Sequence, residues 1–196
     1  LKKFGIETSF VDATDPQAFA AAMRPNTRML YLESPSNPLT EVGDIRALAS
    51  IASDAGAVLV DMRWVDGAAA ALREARQCGV PGILDADTAP EQDLKDMIPL
   101  ASHVLFSESA LNIVRPGLAP EAALLDVAAH NPAEVVGVTL GPQGALLWTR
   151  ASGRVMHVPA PRIQAVDTLG AGDVWHGAFA WGLVKGLPMR DIVQWA

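Results

Sequence analysis

Short apolar runs alternate with helical periodicities along nearly the whole chain. "IETSFVD" (6–12) and "RMLYLES" (28–34) read as strands, with a short Ala-rich helix between them running from Asp15–Pro16, an N-cap and first-turn proline, to Met23. From Asp44 the apolar positions Ile45, Leu48, Ala49, Ala52 and Ala55 follow the spacing of one helix face, and Gly56 closes that helix. "AVLVD" (57–61) is then a buried strand.

The same rhythm continues: helix 66–77, strand 79–86, helix 90–97, strand 103–107, helix 120–129 and strand 134–141. After these, "GALLWT" (144–149) and "RVMHVPA" (154–160) form an antiparallel pair around "RASG", and a glycine-rich stretch opens an apolar helix to Lys185, capped by Gly186. Near-continuous apolar strands separated by helices predict an α/β fold, a three-layer (α/β/α) Rossmann-like sheet, mostly parallel, with one short antiparallel hairpin. "MRDIVQWA" at the end reads as a helix in progress, and the first residue is not Met, so the chain is expected to be a piece of something longer.

Composition narrows the function classes. A formal charge of −7 with 15 scattered Lys and Arg argues against a nucleic-acid surface, which needs clustered cations. The apolar stretch 174–184 is too short to span a bilayer, so neither membrane nor export is expected. The single cysteine, Cys78, allows no internal disulfide and fits a cytoplasmic setting. Four histidines on separate elements lack metal-ligand spacing, and no protein metal site is expected.

The chemistry concentrates in "DTLGAGDVWHGAFAWG" (167–182). At the carboxyl end of a parallel sheet, "GAGD" presents backbone amides at a helix N-terminus, where no side chain intervenes at Gly170 or Gly172 to block a phosphate. Asp173, in the first turn, is placed to take a proton from an attacking hydroxyl while the amides neutralise a moving phosphoryl group. A turn with an Asp cap explains the same residues more blandly. A second turn sharpens the signal: Thr139, Gly141 and Gly144 stand in T-x-G-x-x-G spacing. No P-loop occurs.

These motifs resemble the ribokinase-like, or PfkB, carbohydrate kinases: "DTLGAGDVWHGAFAWGL" (167–183) is similar to the family's C-terminal signature and "VTLGPQGAL" (138–146) to its nucleotide-contacting turn. The resemblance runs over about residues 57–196. It implies ATP and Mg²⁺ as ligands, Asp173 as general base, Gly170, Ala171 and Gly172 as anion hole, and Thr139, Gly141 and Gly144 beside the nucleotide. Asp167 would shape the loop near a monovalent cation. Two positions depart from the pattern. Trp175 replaces the usual Phe, and the N-x-x-E element that organises Mg²⁺ falls on Ser107 and Ala110, with Glu108 out of register.

Residues 1–61 tell a different story. "PNTRMLYLESPSNPLTEVGDIRALASIASDAGAVLVD" (25–61) resembles the Cys/Met-metabolism pyridoxal-phosphate enzymes of the cystathionine γ-synthase and methionine γ-lyase type. That resemblance places Asn37 near a cofactor ring and Asp61 against its pyridine nitrogen. The chemistry is not supported, because none of Lys2, Lys3, Lys95 and Lys185 sits in the context of a Schiff-base lysine. Pyridoxal phosphate is therefore not expected, and both residues are read as vestigial.

The expectation is a chimera in one continuous sheet: residues 1–61 as a PLP-enzyme-like βαβαβ segment, residues 57–196 as the nucleotide half of a sugar kinase. Without a sugar lid, weak or no turnover is expected, since acceptor positioning supplies much of such a barrier. A non-catalytic α/β chimera and, behind it, a PLP-dependent lyase are the competing readings. Whether a homo-oligomer forms along the seam stays open, as does the role of Asp85 and Asp87 as loop caps or supports of a cleft. His176, next to the phosphate turn, could touch a substrate but is read first as plain helix surface or core, and Trp148, Trp175 and Trp181 are read as core.

Overall fold

The computed structural model describes residues 7–27, 30, 43–44, 47, 51, 56–163, 168 and 170–196. It divides into two compact units, residues 1–55 and 56–196. In the first, helix α1 (Pro16–Ala22) forms as the cap predicts: the Asp15 carboxylate accepts from the Gln17 amide at 2.9 Å, and Pro16 occupies the first turn. Arg24 donates to Glu7 at 2.9 Å.

The strand expected over 6–12 is not there among its described residues, 7–12. Asp12 instead accepts from the backbone amide and hydroxyl of Thr14 at 2.8 and 2.7 Å, which bends the chain, and Phe10 is 94% exposed, so no apolar face is buried. The strand expected over 28–34 lies outside the described residues apart from Leu30, which is not in a strand. Ala47 and Ile51 are helical as the periodicity requires, and Asp44 accepts from the Ala47 amide at 3.1 Å.

The second unit is built on a six-stranded sheet in the order β1-β2-β3-β4-β5-β6. Its strands are β1 (Val58–Val60), β2 (Gly82–Ala86), β3 (His103–Ser107), β4 (Val135–Thr139), β5 (Ala145–Thr149) and β6 (Arg154–Val158). The first four run parallel, and β5 and β6 close the edge antiparallel, with Thr149 opposite Arg154 at the hairpin. Between and after them lie α2 (Val65–Cys78), α3 (Glu91–Met97), α4 (Glu108–Val114), α5 (Pro120–His130), α6 (Ala171–Val184) and α7 (Met189–Trp195).

Side-chain alternation along the strands decides the layering. Leu84 and Ala86, Val104 and Phe106, Val136 and Val138 turn to one face, where Leu72, Leu94, Leu111 and Leu124 of α2 to α5 cover them. Ile83, Leu105, Val135 and Leu147 turn to the other, against Phe179 of α6 and Ile192 of α7. The result is the expected three-layer α/β arrangement with a mostly parallel sheet. Each fully buried aromatic, Phe106 in one layer and Phe179 in the other, contributes roughly 1.5–3 kcal/mol of hydrophobic stabilisation.

Boundaries shift where local chemistry overrides the apolar run. The expected strand 79–86 begins at Gly82, because Gly79 (φ 69°) closes α2 and the Val80 amide turns back to the Ala75 carbonyl at 3.0 Å. Helix α4 was not foreseen; the Ser107 hydroxyl accepts from the Ala110 amide at 3.2 Å and starts it directly at the end of β3. Trp148 is buried, but Trp181 is 43% exposed and stacks on Trp195 at 5.3 Å, so its expected core position is corrected. The apolar lining there runs along a helix whose sheet-facing side is already filled by Phe179. Among the described residues, no helix is long and apolar enough to cross a membrane.

Candidate active site

Parallel strands β1 and β2 point their carboxyl ends at one hollow, and carboxylates gather there. Asp61 follows β1, Asp85 lies in β2, Asp87 follows it, and Asp173 enters from the first turn of α6. With Arg63 and Thr88 they line a cavity of about 310 Å³. Open α/β sheets take ligands outside the carboxyl ends of their strands, as here.

The turn into α6 is set by backbone geometry. Gly170 is the N-cap with φ 71°, a left-handed conformation that side chains rarely adopt, and the Ala171 amide, expected in the anion hole, is instead engaged within the turn, donating to the Thr168 carbonyl at 3.1 Å. The first helical bond runs from the Val174 amide to the Gly170 carbonyl at 3.0 Å, so the amides of Gly172 and Asp173 have no partner within the helix. Among the described residues, a β-carbon on Gly172 would meet no atom within 4 Å.

The carboxylates differ in character. Burial pushes Asp85 up to about 6; the carboxylates of Asp87, Asp61 and Asp173 add to the rise, and His176 opposes it. Asp87 is held below the ordinary carboxylate range by the Thr88 backbone amide, with smaller help from the Ser107 and Thr88 hydroxyls and Arg63. Asp61 accepts from the Arg63 amide at 3.0 Å and so ties its own turn.

The other glycine turn is a compact knot at the end of β4. Thr139 donates its hydroxyl to the Phe106 carbonyl at 3.5 Å, Gly141 (φ 53°) starts a 3₁₀ turn, and the Gly144 amide donates to the Gly141 carbonyl at 2.9 Å. None of Thr139, Gly141 and Gly144 lines the cavity that Asp173 lines. Asp167 and Asn37 lie outside the described residues. Asp61, expected as a remnant of a PLP site, stands in the carboxylate group around the cavity.

Two side chains emerged that the motif had not marked. His176 is buried, 4% exposed, with Nδ1 at 2.8 Å from the Gly172 carbonyl and 3.2 Å from Asp85 Oδ2. The signal was present in the spacing: His176 follows Gly172 by four residues, one helical turn, and Asp85 alternates with Ile83 onto the same sheet face.

The residues of the Mg²⁺ element do not fit a metal. The Ser107 hydroxyl is engaged at the cap of α4, and Ala110 is fully buried and carries no donor atom. Among the described residues, no group of three or more His, Cys, Asp and Glu side chains is arranged to hold a metal ion.

Comparison with known proteins places the fold. A protein from Agrobacterium tumefaciens assigned as a ribokinase superposes with a TM-score of 0.71 and 35% identity, over 74% of this chain and 48% of that one. The Arabidopsis thaliana ribokinase solved with ribose and ATP superposes at 0.63 with 24% identity, over 74% and 48% of the two chains. Among curated proteins, the O-succinylhomoserine sulfhydrylase of Pseudomonas aeruginosa is 50% identical over 58 residues, 30% of this chain and 14% of that protein. The cystathionine gamma-lyase of Bacillus subtilis is 42% identical over 60 residues, 31% of this chain and 16% of that protein. The chain thus spans about half the length of the similar structures and about one-seventh of these curated relatives. The family model described as pfkB family carbohydrate kinase matches residues 1–196, and the chain belongs to that family.

Proposed function

We propose that this chain carries the phosphoryl-transfer half of an ATP-dependent carbohydrate kinase, moving the γ-phosphoryl group to a sugar hydroxyl with Asp173 as general base. The observation that carries this reading is the junction of Gly170 to Asp173. A left-handed glycine cap and two amides without helix partners lie in the same turn as Asp173, which borders a cavity at the strand ends. Amides and helix dipole hold the anion, and the adjacent carboxylate accepts the proton of the attacking hydroxyl. Thr139, Gly141 and Gly144 are assigned to the nucleotide by their place at the end of β4. The solved relative from Escherichia coli described with ATP and Mg²⁺ supports the choice of nucleotide at the level of the fold.

The segment 1–61 is read as PLP-enzyme-like, joined to a kinase-like part at 57–196. Its support is the short stretch of high identity to the sulfhydrylase and lyase relatives, together with the division of the chain into units at residue 55. With scaffold in place of a sugar lid, acceptor positioning is poor and turnover by this chain is low.

Melting with and without ATP and Mg²⁺ tests the reading. A ligand at a hundredfold its dissociation constant stabilises the folded state by about 2.7 kcal/mol, which for a chain of this size is a rise of roughly 5–10 °C. Asp173→Ala should keep that rise while cutting Asp173-dependent ADP release by about 10²–10⁴-fold. No nucleotide-dependent rise in wild type would leave the non-catalytic scaffold reading in its place.

A further inference from the structure

The peptide between Gly172 and Asp173 carries the Gly172 carbonyl on one side and the Asp173 amide on the other. Because that unit is planar, whatever anchors the carbonyl also aims the amide. His176 supplies such an anchor. A carbonyl oxygen only accepts, so the 2.8 Å contact assigns the ring hydrogen to Nδ1, and Asp85 Oδ2, 3.2 Å away, shares it as a second acceptor. The ring is held on its other sides as well. Trp175 packs edge-on at 5.1 Å and itself stacks on Phe179 at 5.5 Å, while Nε2 is buried with no hydrogen-bond partner among the described residues.

We propose that Asp85 and His176 form a positioning couple for the phosphate turn, and that an anion arriving at the turn draws a proton from solvent onto Asp85. The inference rests on the kinase reading above and adds a linkage to it. The charged and titratable groups around Asp85 come from every element packed on it: Asp61 and Arg63 after β1, Asp87 after β2, Asp173 and His176 on α6. Three of these are carboxylates, and burial already holds Asp85 up to about 6. A bound polyphosphate adds negative charge to the same hollow, which shifts Asp85 further toward its protonated form. The proton comes from buffer and leaves when the anion leaves. By linkage, anion affinity must then fall as pH rises above about 6, where the free protein has lost that proton.

The test is calorimetric titration of ATP with Mg²⁺ between pH 6 and 8, in two buffers of different ionisation heat, which reads affinity and proton uptake together. Wild type should lose several-fold in affinity across this range and take up a fraction of a proton beyond the titration of ATP itself. Asp85→Asn keeps an oxygen facing Nδ1 but has no charge to neutralise, so its affinity should be flat with pH and the extra uptake lost. His176→Ala should bind weakly at every pH, and His176→Asn, which restores an N–H donor to Gly172, should recover most of the loss. Asp85→Asn with the wild-type profile and uptake would overturn the couple while leaving the kinase reading intact. Absence of any nucleotide binding by wild type would remove both. If Asp85→Asn does not fold, the wild-type excess uptake decides by itself, its absence overturning the proposal.

Discussion

Gly144 and Val158 approach so closely that a β-carbon on Gly144 would lie 2.1 Å from the Val158 carbonyl oxygen. The Ala160 amide nitrogen would be 2.6 Å away, and Gly144 has φ 93°. A glycine that reads as a nucleotide contact is thus required by the hairpin between β5 and β6 before any ligand is considered. Gly144→Ala combines left-handed strain with overpacking against backbone that has nowhere to go, so it should destabilise by about 3 kcal/mol or more. Urea unfolding measures this directly, and a midpoint equal to wild type would show that the turn relaxes freely.

Gly172 is the opposite case. Its φ is not positive, and an added β-carbon would meet nothing within 4 Å among the described residues, which make no demand for glycine there. In the first turn of α6, Gly172→Ala should leave stability unchanged or raise it by up to about 1 kcal/mol. If the position is open so that phosphate can reach the amides, the same methyl group should shrink the ATP-induced rise in melting temperature. An undiminished rise in a fully folded Gly172→Ala protein would argue that the glycine serves no ligand.

These two glycines show what could be read in advance. The motif spacing marked Gly144 and Gly172 alike, because spacing records where the backbone must be free without saying what crowds it. The parallel strands, the hairpin and α6 were legible from apolar runs and caps, since both faces of the central sheet are buried and β2 to β5 are nearly continuous apolar runs. Helix α4 was missed because its start is a single serine hydroxyl at the end of a strand. Residues 7–12 were misread because Thr8, Phe10 and Val11, all residues that favour strands, sit together where Asp12 makes a turn. The Asp85 to His176 contact spans 91 positions of sequence, from a strand to a helix, and only the folded sheet brings it together.

Phe179 ties the α6 layer to the sheet. It is fully buried, stacks on Trp175 and meets His103 edge-on at 6.2 Å between ring centroids. Phe179→Ala removes those contacts and leaves a cavity under α6, at a cost of about 3–5 kcal/mol, or roughly 6–20 °C in melting temperature. Because α6 also carries Gly172 and Asp173, nucleotide protection should weaken together with stability. A variant that melts as wild type does would mean that α6 is not packed on the sheet as described.

Stability against pH should hide two opposing slopes. Burial pushes His103 down to about 4, so between about 4 and 6.5 the unfolded chain binds a proton that the folded one refuses, and stability is lost as pH falls through this window. Asp85, pushed up to about 6 from an ordinary 3.8, does the reverse. Its folded form keeps a proton that the unfolded chain has released, so its contribution is fully present below 3.8 and is lost as pH rises toward about 6. Each effect is about 3 kcal/mol at full extent, and in wild type they largely cancel. Asp85→Asn removes the second slope and should melt progressively lower from pH 6.5 down to 4.5. His103→Asn removes the first and should melt higher over the same descent, measured relative to its own value at pH 6.5. The lowered carboxylates Asp12, Asp87 and Asp126 lose their stabilisation as pH falls below about 5, but they are common to wild type and both variants, so the difference between profiles still reports Asp85 and His103. Differential scanning calorimetry at four pH values separates the slopes, and parallel profiles for wild type and both variants would rule out this pairing of effects.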